Sequence, residues 1–309
     1  MKHTFSITVL MVLIFFLSQI IGLYALNVNT KVTQTPEGQV IVEHEDTAIG
    51  KRPEIYGPET FAYMLVAILI GTGLILLLVR FKKISIWKAL FFFSVWMTCS
   101  ITIGVFINST LALVLCIFLA FFKVYKPNIW VHNFTELFIY AGIAIIFVPL
   151  LDIVWAVLLL LAISAYDMFA VWKSRHMIRL AEFQTKSRAF AGVMLSYKIK
   201  VKEKIEKAKE GGKKAKEIRE EFKSAILGGG DIAFPMIFAG VVMDSMIKGG
   251  VLAKNFAFLQ ALIIPVIVTV FLFFLLTMAK KDRFYPAMPF LTAGCLIGYG
   301  LVWLINFAV

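Results

Sequence analysis

The sequence predicts an all-α polytopic membrane protein whose chain crosses a bilayer nine times. Its 309 residues are 60% hydrophobic, with a mean hydropathy of +0.87. Soluble domains contain only about 45–50% apolar residues. Several apolar runs approach the roughly 20 residues that a membrane-spanning helix needs. The composition therefore excludes an ordinary soluble domain.

Nine apolar runs are separated by polar, basic or proline-containing connections. The first is longer than the core of a signal peptide and lacks a small-residue cleavage site, which predicts an uncleaved span. The fourth is short and follows a tight turn at Asn108-Ser109. The predicted spans cover residues 5–26, 60–79, 87–107, 110–122, 134–149, 151–172, 228–247, 256–278 and 287–307.

The distribution of lysine and arginine predicts the orientation. With the N-terminus inside, the inner segments carry 26 of the 31 Lys and Arg residues and the outer segments carry 5. Cytoplasmic connections normally hold this excess. We therefore expect a cytoplasmic N-terminus and an outside C-terminus.

The longest basic segment divides the chain into three parts. Residues 1–172 form a six-span N-terminal bundle, residues 173–227 a basic cytoplasmic loop, and residues 228–309 a three-span C-terminal bundle. The stretch 173–223 holds 16 of the basic residues and seven glutamates. This favours a solvated, partly helical or mobile tether, with a gate for a substrate or partner as the alternative.

The formal charge of the chain is +12, but no recognised nucleic-acid-binding module accompanies it. We therefore expect no nucleic-acid partner.

Cysteine and histidine do not indicate a metal site or a cofactor. All three cysteines lie inside apolar runs, and the four histidines are scattered over different loops and ends. Neither a disulfide framework nor a zinc site is expected.

Several polar residues near the ends of the spans are predicted to lie at the membrane surface or in loops. The acids Asp152, Glu136 and Asp244 lie near span ends, where contact with water is expected. In the outer loop, a turn signal at residues 36–38 between Val32 and the apolar residues 40–42 predicts a hairpin.

Two further acids lie within the predicted membrane interior. Asp231 follows Gly228-Gly229-Gly230, and Asp167 lies near the inner end of the sixth span. Measured from Lys173 and Lys223, the acids lie ~9 and ~12 Å from the inner basic boundary, at 1.5 Å per helical residue. A carboxylate inside a membrane costs about 2.5–3.5 kcal/mol on insertion scales, so such acids indicate a functional site.

A pair of carboxyl groups on adjacent helices can carry out acid–base hydrolysis of an amide. Like charges favour a pair that holds one proton, so one group activates water while the other donates to the carbonyl oxygen. Taken alone, the glycine-rich turn is also compatible with a flexible helix start that Asp231 caps. A third unusual segment, Pro286-Ala287-Met288-Pro289, opens the ninth span on the same side.

These three segments resemble the YD, GxGD and PAL motifs of the presenilin/signal peptide peptidase family. The matching stretches, in order, are Tyr166-Asp167, Gly228-Gly229-Gly230-Asp231 and Pro286-Ala287-Met288-Pro289. The resemblance implies intramembrane aspartyl proteolysis without a cofactor, with Asp167 and Asp231 as the catalytic pair. It implies a supporting or substrate-binding role for the residues Tyr166, Gly228, Gly229, Gly230, Pro286, Ala287, Met288 and Pro289.

The chain departs from the family pattern at two motif positions. Met288 stands where the family has leucine, and Gly229 occupies a variable position that is often larger, which predicts a looser turn. The predicted cytoplasmic N-terminus is similar in orientation to that of presenilins. The short outer loops favour a microbial or archaeal homologue of the family. We therefore expect a multi-pass membrane protein, in the plasma membrane of a prokaryote.

The expected partners are the transmembrane helices of substrate proteins and the lipid bilayer. A homo-oligomer is also compatible with the sequence. The alternative function is a proton-coupled transporter or channel, since paired acids and glycine-interrupted helices also occur there. An odd number of spans and no evident internal repeat weigh against that alternative.

Overall fold

A computed structural model describes residues 5–34, 40–174, 180, 183–184, 187, 189–204, 216–250, 253–279 and 285–308. Its main helices follow the predicted spans closely. They are α1 (Phe5–Asn29), α2 (Pro58–Arg80), α3 (Ile84–Gly104), α4 (Ser109–Tyr125), α5 (Ile129–Phe147), α6 (Ile153–Met168), α7 (Gly229–Lys248), α8 (Lys254–Ala261), α9 (Ile263–Met278) and α10 (Met288–Ala308).

Eight helical segments in the described ranges are long and apolar enough to cross a membrane. The segment Lys254–Met278, which joins α8 and α9, is one of them, and α4 is an additional shorter apolar helix of 17 residues. The structure is mostly helical, and the predicted polytopic membrane class is confirmed. The orientation of the termini stays a prediction.

Several helix ends lie at residues whose side chains favour them. α2 begins at Pro58, which has no N–H to leave unpaired in the first turn. The Asn108 side chain accepts the Thr110 N–H at 2.9 Å and so caps α4. The Asn128 side chain caps α5 in the same way by accepting the Trp130 N–H at 3.0 Å.

The eighth predicted span is not one continuous helix. α8 ends at Ala261 and α9 begins at Ile263. Pro265 lies four residues after Ala261 and has no N–H to donate to its carbonyl group. The predicted span over 256–278 lies within the segment Lys254–Met278, which is long and apolar enough to cross a membrane, and proline interrupts its hydrogen-bond pattern.

The outer loop contains the predicted hairpin. Strand β1 (Thr30–Gln34) pairs antiparallel with β2 (Val40–His44), and Val32 lies opposite Val42. The predicted turn at residues 36–38 lies outside the described residues. The Arg52 side chain ties this region together by donating to Asn29 Oδ1 at 2.7 Å and to the Ile145 carbonyl at 3.1 Å.

The long basic segment contains two strands where a tether was expected. β3 (Gly192–Lys204) pairs antiparallel with β4 (Lys216–Gly228), and Gly192 lies opposite Gly228. The run from residue 198 to 202 alternates lysine with isoleucine or valine, which is a strand period that the overall charge obscured. The expectation of a partly helical tether was therefore wrong for these residues.

Helix α7 lies at the centre of the bundle. In the most apolar 18-residue stretch of α7, 78% of the residues are buried, compared with 11% in the corresponding stretch of α2. It packs against α1, α5, α6, α9 and α10. The residues at its start are therefore surrounded by protein.

Candidate active site

The three unusual segments of the sequence meet where α6, α7 and α10 pack against one another. Asp167 lies in the last turn of α6, Asp231 in the first turn of α7, and Met288 at the start of α10. Directly after Asp167, the α6 backbone changes to a π-helical turn (Phe169–Lys173). Such turns occur frequently at functional sites.

Asp167 is held by the backbone of α10. Its side chain is buried, and its Oδ2 atom accepts the Met288 N–H at 3.1 Å. The first N–H groups of a helix have no partner within the helix, and they bind anions readily. The segment Pro286-Ala287-Met288-Pro289 thus contacts Asp167 through its main chain, so the departure from leucine at position 288 leaves the contact intact.

Asp231 lies three residues after the cap of α7. It is half-buried, and its carboxylate lies beside Gly228, the N-cap residue, where a Cβ atom would come within 3.2 Å of Oδ2. Because α6 and α7 pack against each other, Asp167 and Asp231 lie at neighbouring ends of two helices in contact.

The glycines before Asp231 differ in what surrounds them. A Cβ atom at Gly229 would lie 2.6 Å from the Tyr140 Oη atom, so only glycine fits beside this ring. A Cβ atom at Gly230 would make only an ordinary contact with Phe234, at 3.5 Å. Tyr140 fills the space that a side chain at position 229 would take, and the looser turn expected at this glycine stays a prediction.

The remaining predicted site residues lie around this centre. Tyr166 is half-buried and donates its hydroxyl hydrogen to Thr72 Oγ1 at 3.1 Å, which connects α6 to α2. Pro286 and the Met288 side chain are buried, while Ala287 and Pro289 are half-buried.

Two supporting contacts were not found from the sequence. The buried hydroxyl groups of Ser164 on α6 and Thr292 on α10 lie 2.7 Å apart. Gln19 of α1 donates its Nε2 hydrogen to the Ile232 carbonyl at 2.8 Å, one residue after Asp231. Each joins helices that are distant in the chain, so no local pattern indicates it.

The predicted interfacial position of two acids is wrong. Glu136 is 1% exposed and Asp244 is 3% exposed, whereas Asp152 is exposed as expected. Glu136 pairs with Lys123. Asp244 pairs with His44 and Lys248. Both acids are buried with basic partners, which come from another element for Glu136 and from both the hairpin and the same helix for Asp244.

Within the residues that the structure describes, no group of three or more His, Cys, Asp or Glu side chains could hold a metal ion.

The comparisons with known proteins agree with this arrangement. The family model described as "Signal-peptide peptidase, presenilin aspartyl protease" matches residues 40–309. Among curated proteins, none matches the chain significantly.

Two solved structures share the fold. The structure of a presenilin family intramembrane aspartate protease in a P2 space group is 18% identical, with a TM-score of 0.55, and covers 96% of each chain. The structure of such a protease in a C222 space group is 16% identical, with a TM-score of 0.57, and covers 96% of this chain and 99% of that one.

Proposed function

The chain belongs to the signal-peptide peptidase and presenilin aspartyl protease family, and from this premise we propose that Asp167 and Asp231 are its catalytic pair. The family membership makes the protein a multi-pass intramembrane aspartyl protease, an endopeptidase that acts on transmembrane segments. It lends no support to the alternative of a proton-coupled transporter or channel.

The observation that carries the proposal is the meeting of two intramembrane acids from distant parts of the chain. Asp167 and Asp231 lie on two helices that pack against each other, and the Met288 N–H orients Asp167. Carboxylates inside a membrane are unfavourable unless they have a function or a partner. Two such acids on packed helices destabilise the fold, and a catalytic role accounts for their presence.

In the proposed mechanism the pair holds one proton. The ionised carboxylate removes a proton from a water molecule as that water attacks the scissile carbonyl carbon, while the protonated carboxyl group donates to the carbonyl oxygen. The tetrahedral intermediate then breaks its C–N bond as the nitrogen receives a proton from one carboxyl group, and a hydroxyl group of the intermediate returns its proton to the other carboxylate. The new carboxyl and amino ends leave, and the pair is ready for a further cycle.

The position of the pair indicates how the substrate is presented. Both acids lie toward the predicted cytoplasmic ends of their helices, so cleavage is expected near that face. A peptide bond inside a helix is shielded by its own hydrogen bonds, so the substrate helix must unwind locally before attack. From the predicted orientation we infer substrates whose N-terminus lies outside.

The proposal is tested with Asp167→Asn and Asp231→Asn in the purified protein. The assay incubates each variant in detergent with a labelled single-span peptide and identifies the products by mass. Each variant should cleave at least ~100-fold more slowly, since a positioned acid or base contributes roughly 10²–10⁴-fold. A peptide mimic with a hydroxyl group at the scissile position should inhibit the wild type.

Asp152→Asn is the matched control, because Asp152 is an exposed acid on the same helix as Asp167. Its cleavage rate should equal that of the wild type. Cleavage at the wild-type rate by either active-site variant would refute the catalytic pair.

A further inference from the structure

A chain of buried polar side chains runs from α4 through α5 to the start of α7. Lys123 on α4 and Glu136 on α5 are each 1% exposed. Ionisable groups at such positions are rare in membrane proteins, and they pair with one another where they occur. Neither residue belongs to the three motif segments, so this ion pair needs an explanation of its own.

The hydrogen-bond partners of the Lys123 ammonium group among the described residues lie on α5, and the group also lies 5.9 Å from the Phe91 ring centroid of α3. Its Nζ atom lies 2.5 Å from Glu136 Oε1, 3.2 Å from the His132 carbonyl oxygen and 3.3 Å from His132 Nδ1. An ammonium group has three hydrogens to donate, and these are three acceptors. Lys123 is therefore fully satisfied, and one oxygen of Glu136 is held in place.

The other oxygen of Glu136 continues the chain toward α7. Its Oε2 atom accepts the hydroxyl hydrogen of Tyr140, which lies one helical turn further along α5. The buried Tyr140 ring lies directly against Gly229, where a Cβ atom would come within 2.6–3.0 Å of three ring and hydroxyl atoms. Tyr140 is also close enough to Asp231 for the two groups to interact electrostatically.

α5 also holds the strand β3, which pairs with the strand that ends at this turn. His132 Nε2 lies 2.8 Å from the Gly192 carbonyl oxygen, which places the imidazole hydrogen on Nε2 and leaves Nδ1 to accept from Lys123. The Asn133 side chain exchanges two hydrogen bonds with the Met194 backbone, at 2.9 and 3.1 Å. Because Gly192 pairs with Gly228, α5 holds the residue that lies opposite the Gly228 cap.

We propose that Tyr140, held by the Lys123–Glu136 ion pair, is a positioning residue for Asp231. This inference rests on the proposed function, in which Asp231 is catalytic. Gly229 is two residues from Asp231 in the same helical turn, so the Tyr140 ring sets where that turn begins. A displacement of about 1 Å at a reacting group can cost ~100-fold in rate.

The proposal explains why this chain has glycine at position 229. The bulk that a larger side chain would supply at the turn comes instead from Tyr140 of another helix. A change at either position therefore requires a compensating change at the other, and this gives a direct experiment.

The first test is Tyr140→Phe, which keeps the ring and removes only the hydroxyl group. We expect kcat for a labelled single-span peptide to fall about 10-fold with KM unchanged, because the substrate still binds while the acid is misplaced. Thr102→Val is the matched control, since it removes a buried hydrogen bond to α5, from Thr102 Oγ1 to the Phe138 carbonyl at 2.7 Å, away from the motif segments. Its kcat should stay within about twofold of the wild type, even where its thermal stability falls.

The second test is a double-mutant cycle between Gly229 and Tyr140. Gly229→Ala should lower kcat, and adding Tyr140→Leu should restore part of it by making room for the new methyl group. Effects that simply multiply would show that the two residues act independently and would overturn the proposal.

The outcomes distinguish a failure of the positioning role of Tyr140 from a failure of the catalytic role of Asp231. An unchanged kcat for Tyr140→Phe, in a protein that Asp231→Asn inactivates, overturns the positioning role and leaves the catalytic pair standing. Full activity of Asp231→Asn instead overturns the proposed function, and the positioning role with it.

Discussion

Replacing Lys123 with methionine tests whether the buried ion pair stabilises the bundle. The substitution keeps an unbranched side chain of similar length and removes the ammonium group. Glu136, which is 1% exposed, then keeps its hydrogen bond from Tyr140 and loses its counterion. Breaking a buried pair by removing one partner typically costs about 3–5 kcal/mol. We expect a loss of this size in the free energy of unfolding.

The measurement is unfolding in mild detergent by titration with sodium dodecyl sulfate, followed by circular dichroism. Lys126→Met is the matched control, because Lys126 lies three residues further along, is exposed, and contacts only the Phe122 ring at 6.0 Å among the interactions described for it. Its effect should be below about 1 kcal/mol.

The double variant Lys123→Met with Glu136→Gln distinguishes an unpaired charge from lost packing. Glutamine can still accept the Tyr140 hydroxyl hydrogen and carries no charge, so at least half of the lost stability should return. A loss for Lys123→Met no larger than that for Lys126→Met would refute the reasoning.

Two further predictions concern the packing of α5. Gly142→Ala should lower the free energy of unfolding by about 1–3 kcal/mol, because the new methyl group would meet the Thr98 backbone carbonyl of α3; Gly71→Ala, with nothing within 4 Å, should be neutral or slightly stabilising in the same titration. Asn133→Ala should speed hydrogen exchange at the Met194 amide, measured by mass spectrometry, because that N–H donates to Asn133 Oδ1; unchanged exchange would show that pairing with β4 alone protects it.

The sequence predicted the helical spans, because these depend only on position along the chain, and the depth of the two acids in the membrane stays a prediction made on the same basis. A count of residues from the basic boundary places Asp167 and Asp231 at similar depth. Adjacent spans joined by one connection then bring them to the same side of the bundle. The motif at residues 286–289 was predicted to lie there for the same reason, and Met288 does contact Asp167.

The rotation of each helix about its axis could not be predicted in this way. Glu136 near the end of a span can face water or protein, and the choice depends on Lys123, which belongs to another helix. The spacing of Glu136 and Tyr140 by one turn was a visible signal of a shared face. That Tyr140 on this face packs against Gly229 at the start of α7 could be known only from the packed structure.

Asp244 shows the same dependence at the opposite end of α7. It lies 2.7 Å from Lys248, four residues along the helix, and 3.0 Å from His44 of the outer hairpin. The first contact follows from helical spacing, whereas the second requires the hairpin to fold back onto the bundle.

Helix α7 is therefore held by polar contacts near both ends, from Gln19 at the start and from His44 at the other end, and the Tyr140 ring packs against its first turn. Lipid tails are as apolar as leucine, so apolar packing alone gives a weak preference for one rotation of a helix within a membrane. The polar contacts from two separate elements strengthen that preference. A catalytic acid in the first turn of such a helix can keep one orientation although its neighbours are largely hydrocarbon.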